Sequence, residues 1–448
     1  MNKLKDYIGD KQYYIKLFKI TIPLAMSMLL QSCMEIVDSI MVSSIGMVTA
    51  VGNALNVLLL HDGICYGIVS GISVFAAQFY GADQKDNMAR TYGLGLLFML
   101  INSSFWIIMV YLFGSQLLSF YLDDTYLLKY SLSYIKIVCI ALVPQAFCFT
   151  TGSMLRSMHN TKTPFIISTI GAIANVIFNY LFINILKVGI VGAAYGTLLS
   201  SLINTIIYIY LLIFKKPIFF IPNKMFNLSV SFVKPIVKTV MPIIVNETFF
   251  GFGNSLFNKA YGLLGTQAMD AYYVAVEIWN LFSFAIWGFG SGASILIGTT
   301  LGKGDIDLAI KESKYQLGCG FILGLVLSLG MVAFANPMLS LFSISSELTY
   351  INARNVVYVM ALKVFIRCFT YMMFSTLKAG GDAKIINLYD SGFMYLIGLP
   401  LAYICAFAGI KNIALLLLIV QLEQVIRLFF TGKRYLSNVW AKDLTKLV

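Results

Sequence analysis

The sequence predicts an all-α polytopic membrane protein, with twelve transmembrane helices in two pseudo-twofold-related six-helix bundles, and three observations carry that reading. Of the 448 residues 59% are hydrophobic and only 12% charged, against about 25% charged in an average soluble domain. The apolar stretches are long enough to cross a hydrocarbon core as helices, whereas a barrel strand would need only about ten residues. Residues of the first half also recur, in order, in the second.

The stretches run roughly over 20–43, 48–79, 92–114, 128–154, 164–186, 188–214, 235–264, 268–300, 316–335, 351–377, 385–409 and 412–432. Several exceed the ~20 residues a span requires, and Pro23, Pro144 and Pro242 lie inside or near their ends, so kinks or tilt are expected. The net charge of +12 resides mostly in short loops and without a basic, aromatic-interleaved stripe, so nucleic acid is not an expected partner. Lys3, Lys5, Lys11, Lys16 and Lys19 precede the first span, and Lys and Arg recur in alternate loops up to Arg427 and Lys433; the other side holds Lys129, Lys187, Arg354 and Lys411. The positive-inside rule then places both termini in the cytoplasm of a multi-pass cell-membrane protein. The basic, amphipathic N-terminus has no cleavage site after it and reads as retained. All seven cysteines fall inside apolar segments, without metal spacing or a disulfide framework, so no cofactor is expected. A monomer in the lipid bilayer is the expected state.

The basic segment 215–234, punctuated by Pro217 and Pro222, falls at the midpoint and reads as a linker between an N-lobe, 1–214, and a C-lobe, 235–448. Pro23 and Gly46 match Pro242 and Gly265 at an offset of 219, and Gly67, Ser70, Gly71 and Ser73 match Gly288, Ser291, Gly292 and Ser294 at an offset of 221. Six helices per repeat give both halves one orientation, the parallel-repeat plan of many transporters, with a substrate site expected between the halves.

Polar residues on the spans mark where chemistry is expected. Gln31, Glu35 and Asp38 are spaced i, i+4, i+7 and share one face of the first span. Ionised groups at bilayer depth cost roughly 2.5–3.5 kcal/mol and normally mark an ion or substrate path. In the second half Glu247, Gly251, Asn254 and Asn258 form a comparable stripe; the two asparagines read equally well as interhelical hydrogen bonds worth about 0.6 kcal/mol each. Asn175 and Asn179 lie one turn apart in the fifth span. Thr197 sits in the sixth among Gly189, Gly192, Ala193, Ala194 and Gly196, which permit close helix approach. Lys363 and Arg367 share a face of the tenth span, and Asp390 near the start of the eleventh is most simply their ion-pair partner. His61 beside Asp62 has the chemistry of a proton relay.

Together IVDSIMVSSIG (36–46), AAQFYGA (76–82), the paired MLRSMHNTKTP and TLKAGGDAK segments, NVIFNYLFI, VGAAYGT and DSGFMYLIGLPLAY resemble the multidrug and toxic compound extrusion (MATE) transporters over nearly the whole chain. The resemblance implies two bundles that export amphipathic, often cationic compounds by rocking between inward- and outward-open states, driven by Na⁺ or H⁺. By resemblance Asp38 takes the place of the essential N-lobe aspartate, and Pro23 that of the proline about which the first helix bends. Asn175, Asn179 and Thr197 fall where other N-lobe ligands lie, and Glu247 falls where the NorM-like branch has its C-lobe acid. There are two departures: Asn179 stands where archaeal members carry a second aspartate, and Arg367 falls near a tenth-helix aspartate of NorM-like members.

The expected function is therefore a secondary antiporter for small amphipathic cations, whose cavity is lined by Glu247, Asn254, Asn258, Gln31 and Glu35. An amide does not titrate, whereas Asp38, Asn175, Asn179 and Thr197 can offer four oxygens around one negative charge if their spans pack together. That favours Na⁺ over H⁺. The alternative within transport is a flippase for a lipid-linked or glycan precursor, which would call for a more cationic cavity. An enzyme is not expected, because no catalytic motif is present and His61 and His159 are the only histidines. The sequence GxxxxGK[ST] of nucleotide-binding loops is also missing.

Overall fold

The computed structural model describes residues 5–447 except 122–123, 343 and 345, with the side chain of Glu35 also outside the description. Among the described residues there are twelve helices long and apolar enough to cross a membrane: α1 (Lys11–Ser43), α2 (Val48–Gly81), α3 (Lys85–Ser119), α4 (Thr125–Ser157), α5 (Lys162–Ile185), α6 (Ile190–Lys215), α7 (Val230–Gly262), α8 (Thr266–Gly302), α9 (Ile306–Ala333), α10 (Glu347–Ala379), α11 (Ala383–Phe407) and α12 (Ile413–Leu436). The all-α, twelve-span reading holds. Several helices start a turn or more before their apolar stretch, because hydropathy registers only the part that suits hydrocarbon. Side-chain caps secure some of these polar turns: Asp124 accepts from the backbone N–H groups of Tyr126 and Leu127 at 2.8 and 3.2 Å, and Asp305 from Leu308 at 3.0 Å.

Among the described residues three of these helices contain wider π-turns, α6 at its end (Leu211–Lys215) as well as α5 and α11. α5 passes into one at Tyr180–Ile185, directly after Asn179, and α11 contains Leu388–Gly392, which carries Asp390. Such turns rotate the side chains that follow and recur at functional sites.

The chain forms two compact units, which do not follow the boundaries expected at 214 and 235. The amino-terminal unit is Ser27–Thr248; the carboxy-terminal unit combines the chain up to Met26 with Phe249–Leu447. α1 and α7 therefore each change unit partway along, shortly after Pro23 and Pro242. The repeated glycines show why. In the carboxy-terminal unit Gly288 leaves no room for a Cβ beside Ala25, and a Cβ on Gly292 would stand 2.6 Å from Thr21 Cγ2. In the amino-terminal unit Gly67 abuts Ile244, and a Cβ on Gly71 would stand 2.8 Å from Val240 Cγ1. Each Gly-x₃-Gly pair lets the backbone of a half-helix approach closely, and the half-helix comes from the other sequence repeat.

The expected linker is also more than a connection. Phe219 is fully buried and meets Tyr92 edge-on at 4.9 Å, Lys224 pairs with Asp86 at 3.1 Å, and α7 already begins at Val230. Apolar residues spaced along a short basic segment were enough to seat it against α3, a signal that loop composition hides.

Candidate functional site

In the amino-terminal unit Asp38 of α1 meets α5. Asn179 Nδ2 donates to Asp38 Oδ1 at 2.7 Å and to Asn175 Oδ1 at 3.1 Å. Both asparagines are buried, at 6% and 1% exposure for Asn175 and Asn179, while Asp38 is half-buried. Small residues make this approach possible. A Cβ on Gly196 of α6 would overlap Asn179 Oδ1, and Gly192 packs in the same way against Phe182. In this orientation Asn179 Oδ1 is buried without a hydrogen-bond partner. Thr197 lies on the same helix as Gly196, half-buried, and its hydroxyl donates to the Ala193 carbonyl at 3.2 Å. Three of the four expected ion ligands are thus joined by hydrogen bonds, and Thr197 is bonded to its own helix.

Tyr134 of α4 is a neighbour that periodicity did not single out. It is buried and close enough to Asp38 for electrostatic interaction. Gln31, one of the expected cavity residues, is exposed and donates to the Tyr66 hydroxyl at 3.2 Å. Glu35 lies outside the described side chains. His61 is buried, with Nδ1 2.9 Å from Asp62 Oδ1 and Nε2 3.4 Å from Cys65 Sγ.

The Glu247 stripe is divided. Glu247 is half-buried on the part of α7 that belongs to the amino-terminal unit, whereas Asn254, exposed, and Asn258, half-buried, belong to the carboxy-terminal unit. Helical spacing alone could not reveal that one face passes from one unit to another.

The carboxy-terminal unit holds a buried charge network. Asp390 accepts from Arg367 Nη1 at 3.0 Å and from Arg427 Nη1 at 2.5 Å, and Arg427 Nε donates to Glu423 at 2.8 Å. The Arg367–Asp390 pair agrees with the ion pair expected from sequence. Arg427, counted from sequence among the cytoplasmic-end charges, is 1% exposed and faces Glu423 one turn earlier on α12. The i, i+4 spacing of Glu423 and Arg427 was the available signal. The Arg367 guanidinium also lies 5.3 Å from the Phe250 ring, and Lys363 Nζ 5.1 Å from that of Trp279.

The sequence model of the MatE family matches residues 23–181 and again 242–404, once in each repeat. A probable multidrug resistance protein of Bacillus subtilis, YoeA, is 22% identical over 376 residues, covering 82% of this chain and 78% of the relative. The human multidrug and toxin extrusion protein 1 is 21% identical over 349 residues, covering 77% of this chain and 60% of the relative. A solved outward-facing multidrug resistance MATE family transporter superposes with a TM-score of 0.86 at 19% identity over 95% of this chain and 96% of its own; at that identity the likeness speaks for the fold.

Proposed function

This chain belongs to the MatE family, and from that premise we propose that it is a secondary antiporter of the cell membrane, both termini cytoplasmic, that exports amphipathic organic cations by alternating access in exchange for Na⁺. It is a multi-pass membrane transporter and not an enzyme. Relatives named for multidrug resistance and extrusion support drug-like substrates and do not favour the flippase alternative.

The observation that carries the ion reading is the convergence of Asp38 Oδ1 and Asn175 Oδ1 on one Asn179 amide group, at 2.7 and 3.1 Å. That NH₂ stands where a small cation would find a carboxylate and a carbonyl oxygen together. A half-turn of the amide exchanges donor for acceptor with little change of shape, so a third oxygen can face the same point. Asn179 Oδ1 is buried without a donor, and turning it onto a cation gives that oxygen a partner. One negative charge balances one Na⁺. Release of the ion restores the Asn179–Asp38 hydrogen bond, so the pocket has a satisfied arrangement of the carboxylate with or without its cation.

The experiment is efflux of a panel of cationic dyes from everted vesicles under separately imposed Na⁺ and pH gradients. The Na⁺ gradient at constant pH is expected to drive efflux. Full activity from a pH gradient in Na⁺-free buffer would replace Na⁺ by a proton carried on Asp38.

A further inference from the structure

The charges around Arg367 on α10 do not all pair off. Arg367 and Arg427 are answered by Asp390 and Glu423, which leaves Lys363. It lies at the middle of α10, one turn before Arg367, within electrostatic reach of Arg367, Glu423 and Arg427. Among the described residues it makes no ion pair; its ammonium lies over the Trp279 ring at 5.1 Å. A cation at the centre of a membrane span is costly unless it faces a watery cavity or an opposite charge. Lys363 is half-buried, hence still reachable. Trp279 beside it packs onto the buried core of this unit formed by residues such as Ile278, Val357 and Val364, so this is an interior position. Lys363 therefore presents, over an indole face, a positive charge that has no ion-pair partner among the described residues.

We propose that Lys363 receives the anionic group of the substrate, so that the unit takes aromatic amphiphiles bearing a carboxylate as well as a cationic centre. The proposal rests on the export reading given above and adds a substrate class to it. An ammonium can offer three N–H donors to a carboxylate, and the indole ring of Trp279 supplies flat apolar surface for an aromatic body. Arg367, one turn further along, adds to the positive potential although its own hydrogen bond goes to Asp390.

A matched pair of fluorescent probes tests this: rhodamine 110, which has a free carboxylate, and rhodamine 123, its methyl ester. Binding to the full-length protein is read by fluorescence anisotropy in detergent stripped of phospholipid. A charge-assisted contact should make rhodamine 110 bind roughly tenfold more tightly than the ester. Lys363→Gln is expected to abolish that preference, and Lys363→Arg to keep most of it. Equal affinity of the wild type for the two dyes, or an unchanged preference in Lys363→Gln, overturns the proposal. So does displacement of rhodamine 110 by added phosphatidylglycerol, which would give the site to a lipid headgroup. Export is read separately in vesicles: if rhodamine 123 is exported while the carboxylate preference is missing, this inference fails alone, and if neither dye is exported the underlying export reading fails.

Discussion

Asn179 on α5 donates to Asp38 on α1 at 2.7 Å, across 141 residues of chain. The bond ties a membrane-depth carboxylate to a helix whose next residue, Tyr180, opens a π-turn. A neutral amide donor orients the Asp38 carboxyl group without bringing a charge of its own.

Asp38→Asn should insert and run as a monodisperse peak in size-exclusion chromatography, while gradient-driven dye efflux from everted vesicles falls to background. The amide keeps the shape and loses the charge that balances the cation. Efflux at the wild-type rate would remove Asp38 from the coupling site.

Replacements of Asn179 should separate by oxygen content. Asn179→Ala removes one ligand and should weaken the Na⁺ dependence of efflux about tenfold, on the scale of one charge-assisted contact; Asn179→Asp, which keeps an oxygen, should preserve or strengthen it. Identical Na⁺ titration curves for both variants would show that the residue only packs.

Gly196→Ala adds a Cβ where Asn179 Oδ1 stands. Overpacking of this kind costs about 1–3 kcal/mol, so the melting temperature in detergent should fall and Na⁺ dependence should weaken as in Asn179→Ala. Gly251→Ala is the control, since nothing lies within 4 Å of its added Cβ. An equal fall in both variants would show that the loss is not set by contact with Asn179, since Ala is the better helix former and propensity alone would raise stability.

Glu247→Gln should lower resistance to cationic drugs and the affinity for at least one transported cation, because it removes the acid of a polar stripe on α7. Unchanged resistance together with unchanged affinities would reduce the stripe to packing.

Arg427→Met leaves Glu423 buried at 2% exposure and removes one of the two arginines that pair with Asp390. Breaking a buried ion pair from one side costs about 3–5 kcal/mol. A large drop in thermal stability is expected, and combining it with Glu423→Gln should cost less than the two changes added. Strict additivity in the melting temperatures would show that the two side chains are uncoupled.

The helical architecture was legible because span length and hydropathy are properties of short stretches. The Asp38, Asn175 and Asn179 grouping was legible too, since polar atoms on apolar helices have few reasons to be there. What stayed hidden depended on which surfaces meet. Arg427 reads as a loop-end cation until α12 is seen to carry it inward beside Glu423. Phe219 and Phe232 read as linker residues, yet both are buried, with Phe232 stacked on Phe79 at 6.2 Å. Glycine matches at an offset of 221 revealed the repeat without revealing its partner: the seam at Gly288 and Gly292 accepts Ala25 and Thr21 from the opposite end of the chain.

That seam bears on ancestry. A polypeptide consisting of one repeat would possess a glycine groove and a half-helix, but its own half-helix is not the one that fills its groove. Two copies could satisfy both grooves by trading half-helices, which is a domain-swapped homodimer. Fusing the copies head to tail turns that trade into a feature of a single chain and fixes the stoichiometry at one to one. The same logic governs a split gene: cut between α6 and α7, this protein would yield two fragments that each keep a half-helix needed by the other, so neither should accumulate in the membrane unless both are made together.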